Sequence, residues 1–527
     1  MAEFDLIIKN GLVIDGKGDK PLRVDVAVID GVVSGVGNFH RIECASMIDA
    51  TGQIVAPGFI DTHTHDESFL LGKGDPLAKL SQGITFECVG SCGKSIHPTN
   101  PKTVALLQNY LGPALGGAER EFDWSSWGEF VSAHPQHNQP LKMASFVGHG
   151  SLRIAVLGFE NRKPNSEELH KMCYLLEKEL SEGCVGLSLG LSYPPGVFAE
   201  TSELVTLAQV ATRLNKPVVS HMRSESNSMI EAVQEMIEVA RKSGCRMIIS
   251  HHKAAGKNNY HKVHDSLALI EQARDEGLDI GVDVYPYTAG NTSITALLPP
   301  WTLSGGIPAL LNALRDIHLR SRIETEINQE RSWENLIDAA GWEGISISSC
   351  THLSELEGKS LDQIALSMNK DPFEALFEII SITQGQCRVL VDDIDEEDVC
   401  FVLSHPLSQV ISDSTDVIGK PHPRLYGTFP RVLGRYVRDK HVLGLVEAIK
   451  KMTSLPAARY NLKNRGVLEP GAAADIVIFD PEKITDTATY TNPRSYPRGI
   501  SAVISSGKLV LLNGIPQDDI IVTPVQV

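Results

Sequence analysis

The residues best placed to do chemistry are two histidines one residue apart, His63-Thr64-His65, followed by Asp66. They close an apolar stretch, Ile54-Val55-Ala56 and then Phe59-Ile60, interrupted only by Pro57-Gly58. Alternate side chains of a strand point the same way, so His63 and His65 can reach one metal ion from a strand end. A catalytic metal needs neutral imidazoles held on rigid elements, and the end of a buried strand supplies that rigidity.

The strand ending in these histidines opens a long alternating region. From about residue 57 to 460, strand and helix signals take turns, the pattern of parallel βα units. Seven further strands are predicted, at 84–89, 142–147, 183–190, 217–221, 246–251, 278–285 and 409–413. With the opening strand they make the eight of a closed (β/α)8 barrel. Helical stretches such as 224–242 fall between them. Too much chain separates Tyr285 from Gln409 for one crossover. An inserted segment, roughly 291–345, is expected to act as a lid over the barrel mouth, with Pro299-Pro300-Trp301 as a rigid apolar edge and a charged stretch over 315–331.

The chain ends differ from the middle. Both carry short β-rich runs punctuated by tight-turn dipeptides, Asp15-Gly16, Asp30-Gly31 and Asn513-Gly514. Neither end can bury a sheet face alone, so residues 1–56 and 464–527 are expected to pair into one small β-sandwich beside a barrel of 57–463.

Composition narrows the function classes. The 527 residues are 42% hydrophobic and 21% charged, ordinary for a globular protein. A formal net charge of -17 argues against nucleic acid or an anionic membrane as partner. No apolar run approaches membrane-spanning length, and Met1-Ala2-Glu3-Phe4-Asp5 carries acid where a signal peptide needs base. Nine scattered cysteines, an odd number, do not suggest a disulfide framework, so a reducing cytoplasm is expected. Assembly into a homo-oligomer stays open.

Barrels of this kind do chemistry at the C-terminal ends of their strands. Those ends hold His63 and His65, then Cys88-Val89-Gly90-Ser91-Cys92, then His221, then His251-His252-Lys253, and last Asp413. Imidazole donors gathered at several strand ends suit a bound metal ion. Cys88 competes with Cys92, but its strand position suits the core. His252 adjoins His251, and only one of them can face the mouth. Gly90-Ser91-Cys92-Gly93-Lys94-Ser95 looks like the end of a phosphate-binding loop, yet such a loop needs glycine where Cys88 stands.

Together these motifs resemble the amidohydrolase superfamily, and within it the N-acyl-D-amino-acid deacylases (D-aminoacylases). The resemblance covers about residues 5–515 and includes Gly186-Leu187-Ser188-Leu189-Gly190-Leu191-Ser192-Tyr193-Pro194-Pro195-Gly196 at strand four. It continues through Ser250-His251-His252-Lys253, Asp283-Val284-Tyr285-Pro286-Tyr287 and the segment from His422-Pro423-Arg424 to Arg431. It implies that His63, His65, Cys92, His221 and His251 bind one or two Zn2+ ions, Cys92 serving where many relatives use a strand-four lysine. This chain has Leu189 and Leu191 there.

The same resemblance makes Asp413 the catalytic acid/base for hydrolysis of the linear amide of N-acyl-D-amino acids. It further implies that Lys253 and Tyr285 bind the carboxylate of this small-molecule substrate. Tyr193 is expected to pack against the substrate, Arg424 to offer a bidentate fork, and His149 to line the pocket. The family's hydroxyl residue six positions after the tyrosine is replaced by Asn291, with Ser293 nearby. Alternatives are a cyclic-amide hydrolase of the dihydropyrimidinase kind, a dipeptidase, or a non-catalytic scaffold of the same fold.

Overall fold

The computed structural model describes residues 3–39, 44–115, 122–134, 140–329 and 332–527. Met1 and Ala2 of the acidic N-terminus, and Glu330 and Arg331 within the charged stretch, lie outside the described residues.

The eight strands of the barrel are β1 (Phe59–Asp61), β2 (Ile84–Val89), β3 (Leu141–Ser145, resuming as Val147–Gly148), β4 (Leu187–Gly190), β5 (Val218–His221), β6 (Met247–Ile249), β7 (Ile280–Val284) and β8 (Ser408–Val410). Neighbours pair in parallel from β1 to β3 and from β4 to β8. The resumed part of β3 pairs in register with β4, Val147 opposite Leu187. The ring closes where Asp413 N donates to His63 O at 2.9 Å and His65 N to Ser414 O at 2.8 Å. These strands are buried throughout, as expected of a parallel sheet covered by helices.

The crossover helices bury one stripe each. Ser166–Ser181 presents Met172, Leu176 and Leu180 to the barrel at intervals of four residues, and its start is fixed by a capping box between Asn165 and Glu168. The helix expected over 224–242 begins later, at Met229. Ser224 to Ser228 form a loop instead, with the Glu225 backbone and the Ser226 side chain held by Glu334. That loop matters because it carries Glu225 to the barrel mouth.

The two chain ends share a sheet. Its order runs through Ile515–Pro516, Lys508–Leu512, Ile500–Ser505, Ile476–Phe479, Ile54–Pro57, Leu12–Val13 and Leu22–Arg23. A second sheet joins Val32–Gly37, Asp25–Ile29, Phe4–Lys9 and Cys44–Asp49. Alternating Leu6, Ile8, Val26 and Val28 pack with Ile476, Ile478, Ala502 and Ile504 in one core. At Asp30-Gly31 and Asn513-Gly514 both residues take positive φ, which the two-residue hairpin turn requires.

Between β7 and β8 the chain builds a unit with its own core, including Ile294, Leu310, Ile347, Leu376 and Val389. Its antiparallel sheet places Cys387–Asp392 between Ala289–Ser293 and Ile345–Cys350. The unit therefore runs from about 289 to 392, well beyond the expected 291–345, because its central strand comes last. Trp301 does not form a bare apolar edge: its indole N–H donates to Glu326 at 2.6 Å. Cys350 and Cys387 face each other in register and are joined by a disulfide, which the scattered spacing of the cysteines gave no reason to expect.

Candidate active site

The strand ends bring six predicted residues together. Cys92 Sγ lies 3.3 Å from His63 Nε2, 3.4 Å from His251 Nε2 and 3.8 Å from His221 Nδ1. Asp413 Oδ1 lies 3.4 Å from Nε2 of both His63 and His65. The donors fall into two groups, His63–His65–Cys92–Asp413 and Cys92–His221–His251, with atoms of each group within 4.8 Å of one another. Cys92 belongs to both and is placed to bridge them. Cys88, by contrast, is buried in the core beneath.

Local backbone makes this convergence. Cys92, His251 and Asp413 have φ of 51°, 34° and 52°, the left-handed region that non-glycine residues rarely enter. Each therefore sits where the strand has just ended and the chain turns its side chain inward. Close approach of the second and fourth strand ends requires glycine: a Cβ on Gly190 would lie 2.0 Å from Cys92 O.

A further layer fixes the ligands. His251 Nδ1–H donates to Glu225 Oε1 at 2.6 Å, and His221 Nε2 lies 2.6 Å from Ser192 Oγ. Hydrogen bonds on the outer ring nitrogen set the tautomer that leaves the inner nitrogen facing the sulfur. Below them, the fully buried Lys79 Nζ reaches Asp61 at 2.9 Å, Asp66 at 3.1 Å and Ser412 Oγ at 3.1 Å. One buried ammonium thus ties together the elements bearing His63, His65 and Asp413.

The electrostatics suit a cation. Burial would raise the Cys92 thiol, but His63 and His251 beside it hold it well below the usual range, so the sulfur is a thiolate. Burial and Lys253 oppose charge on His251, yet Glu225 and Cys92 carry its pKa up to about 9. Burial would also raise Asp413, but Arg424, His65 and His63 keep it far below ordinary carboxylates. Protons on these rings balance the thiolate and carboxylates where a metal ion would, and metal binding would release them. One thiolate, four imidazoles and a carboxylate fit zinc by chemistry and by number.

A cavity opens above this cluster. Lys253, Tyr285 and Tyr193 line it, as do Asn291, Thr292, Glu334 and Arg388 from the inserted unit. Two predicted residues stand elsewhere. His149 is buried against Glu203, its Nε2 2.8 Å from Oε1, and does not line the cavity, because it opens the helix His149–Leu157 and turns away from the mouth. Arg424 is 1% exposed and pairs with Asp413 at 2.9 Å, stacking 4.7 Å from the Tyr285 ring centre. It therefore braces the acid from outside the cavity lining, and its Nε makes no hydrogen bond among the described residues. Sequence reasoning missed Glu225, Lys94 and Arg388. Glu225 lies four residues after His221 in what read as helix, and Arg388 comes from a strand hidden in the insertion.

Comparison with known proteins agrees with this geometry. The model of the amidohydrolase family matches residues 46–511. The chain is 32% identical to a D-aminoacylase of Alcaligenes xylosoxydans xylosoxydans over 508 residues, 96% of this chain and 94% of that one. It is 34% identical to the N-acyl-D-glutamate deacylase of the same organism over 506 residues, 96% and 93% of the two chains. Among solved structures, the N-acyl-D-glutamate deacylase of Bordetella bronchiseptica, complexed with zinc and a phosphonate mimic of the tetrahedral intermediate, superposes with a TM-score of 0.82 at 31% identity, covering 99% of this chain and 100% of that one. The fold and site define a (β/α)8 amidohydrolase. The chain belongs to the amidohydrolase family and, within it, to the N-acyl-D-amino-acid deacylases.

Proposed function

We propose that this enzyme hydrolyses the amide bond of N-acyl-D-amino acids in a zinc-dependent reaction, releasing a carboxylate and the free D-amino acid. The observation that carries this is Cys92 shared between two donor groups, with Asp413 beside them and Leu189 and Leu191, not lysine, at the end of β4. Cys92, His221 and His251 would hold the tighter metal ion, and His63 and His65 a second or weaker one. Zinc bound there supplies a Lewis acid for the scissile carbonyl and lowers the pKa of a bound water from about 15.7 towards about 7.

The protein's own residues do the rest. Asp413, kept ionised by Arg424 and facing the histidines, takes the proton of the attacking water and passes it to the leaving nitrogen. Lys253 and Tyr285 line the same cavity and would bind the substrate's α-carboxylate, while Tyr193, its hydroxyl 3.0 Å from Thr292 Oγ1, packs along the substrate. Among the described residues no helix is long and apolar enough to cross a membrane. Screening N-acetyl-D- and N-acetyl-L-amino acids with and without added zinc, following amine release, tests the proposal. Zinc-independent turnover, or turnover of L-substrates alone, would sink it.

A further inference from the structure

Two cations on the cavity wall lack a carboxylate partner among the described residues. Arg388 arrives on the central strand of the inserted sheet, and Lys94 follows Cys92 by two residues; both line the cavity. Arg388 is only 5% exposed. Its Nε donates to Asn291 Oδ1 at 2.7 Å, and its Nη2 to Asn291 O and Thr415 Oγ1, both at 3.3 Å. All three acceptors are neutral. Lys94 Nζ stands 4.0 Å from the centre of the Tyr193 ring and forms no side-chain hydrogen bond or ion pair among the described residues.

The other two cations at the mouth each have a carboxylate partner. Lys253 pairs with Glu225 at 2.5 Å, and Arg424 with Asp413 at 2.9 Å. Glu334 accepts from Glu225 N at 3.0 Å and from Ser226 Oγ at 3.1 Å. The Cys92 thiolate and the Asp413 carboxylate act on both cations without bonding to either, and a buried guanidinium bonded only to neutral acceptors favours an anion in the cavity beside it. Arg388 and Lys94 are thus the cations of this cavity whose donors no carboxylate of the described residues occupies.

Resting on the deacylase activity proposed above, we infer that Arg388 and Lys94 form a second anion subsite for the side-chain carboxylate of the substrate. The preferred class is then the acidic N-acyl-D-amino acids. Arg388 has no hydrogen bond from Nη1 among the described residues, which leaves a planar donor edge for a carboxylate, and Lys94 adds a point charge. The insertion therefore supplies specificity to a barrel that supplies the chemistry.

N-acetyl-D-glutamate and N-acetyl-D-glutamine are nearly equal in size and differ in side-chain charge, so they separate this subsite from the rest of the cavity. The zinc-loaded wild type should favour the acid in kcat/KM by about 10²-fold, since a desolvated cation pair left unmatched penalises the amide. Lys94→Met and Arg388→Gln should each cut that preference at least about tenfold, the loss falling on the acid. Because Arg388→Gln removes bonds inside the inserted sheet, calorimetric binding of free D-glutamate and D-glutamine to both variants gives a second readout, in which only D-glutamate should weaken. Turnover of the amide with no preference for the acid in the wild type overturns the subsite alone. Equal losses on both substrates in the variants also overturn it, since the cations would then read a group common to both. Absence of turnover on any N-acyl-D-amino acid would overturn the deacylase activity and the subsite with it.

Discussion

Arg424 Nη1 lies 2.9 Å from Asp413 Oδ2, on the far side of the carboxylate from His63 and His65. One oxygen of the acid is thus fixed by a buried cation while the other faces the donor cluster. The pair explains how a carboxyl that is only 7% exposed stays ionised and ready to take a proton. Asp413→Asn keeps the shape without the basicity, so bound metal should persist while kcat falls by about 10²–10⁴. Arg424→Met removes the largest interaction opposing burial, so the pKa of Asp413 should rise. The acid limb of the kcat/KM profile then moves to higher pH. An unmoved limb in that variant would show that Arg424 does not set the charge of the base.

Cys92 joins both donor groups, so its loss should cost more than the loss of either outer histidine. Cys92→Ala should fold, because its surroundings are held by Lys79, Asp61 and Asp66 and not by the sulfur. It should lose both metal content and activity, measured by elemental analysis and amine release. Full zinc occupancy in Cys92→Ala would refute the bridging assignment.

Glu225 serves two partners, accepting from His251 at 2.6 Å and pairing with Lys253 at 2.5 Å. Glu225→Gln retains one acceptor but not the charge, and metal affinity should weaken about 10–100-fold, as for other residues that orient a ligating histidine. Competition with a chelator measures this. Lys253→Met should instead spare metal binding and depress kcat/KM for free-acid substrates much more than for their α-carboxamides. Equal effects on both would mean that Lys253 does not read the α-carboxylate.

The strands and their ligands were legible in the sequence because both follow simple rules. Parallel strands read as apolar runs, and their C-terminal ends are where side chains such as His221 and His251 escape the core. Turns at Asp30-Gly31 and Asn513-Gly514 were equally plain, since few other dipeptides tolerate positive φ twice in succession. The wall of the cavity was not legible. Glu225 lies in a loop whose sequence carries helical periodicity, and Arg388 reaches the site only through the antiparallel pairing of Asn291 with Leu390 and its neighbours. His149 misled for a related reason: it follows a strand end, but its own segment starts a helix and Glu203 turns the ring away. Tertiary pairing over a separation of nearly one hundred residues leaves no local trace.

His422 gives the fold a pH dependence of its own. Its ring is buried, with Nδ1 accepting from Arg424 N at 3.0 Å and Nε2–H donating to Ala289 O at 2.9 Å. Both nitrogens are occupied only in the neutral form, since a proton on Nδ1 would abolish the first bond. Burial, then the charge of Arg424, hold the ring well below the ordinary value of 6.5. An unfolded chain takes up a proton at His422 as pH drops through 6.5, whereas the folded chain does not. The contribution is therefore complete above that pH and is lost as pH falls, at up to about 1.4 kcal/mol per unit. His422→Gln can still accept from Arg424 and donate to Ala289 but does not titrate. It should be less stable than wild type at pH 7 yet lose less on acidification, so the two thermal midpoints converge or cross between about pH 7 and 5. Parallel decline of both midpoints over that range would show that His422 carries no part of the acid sensitivity.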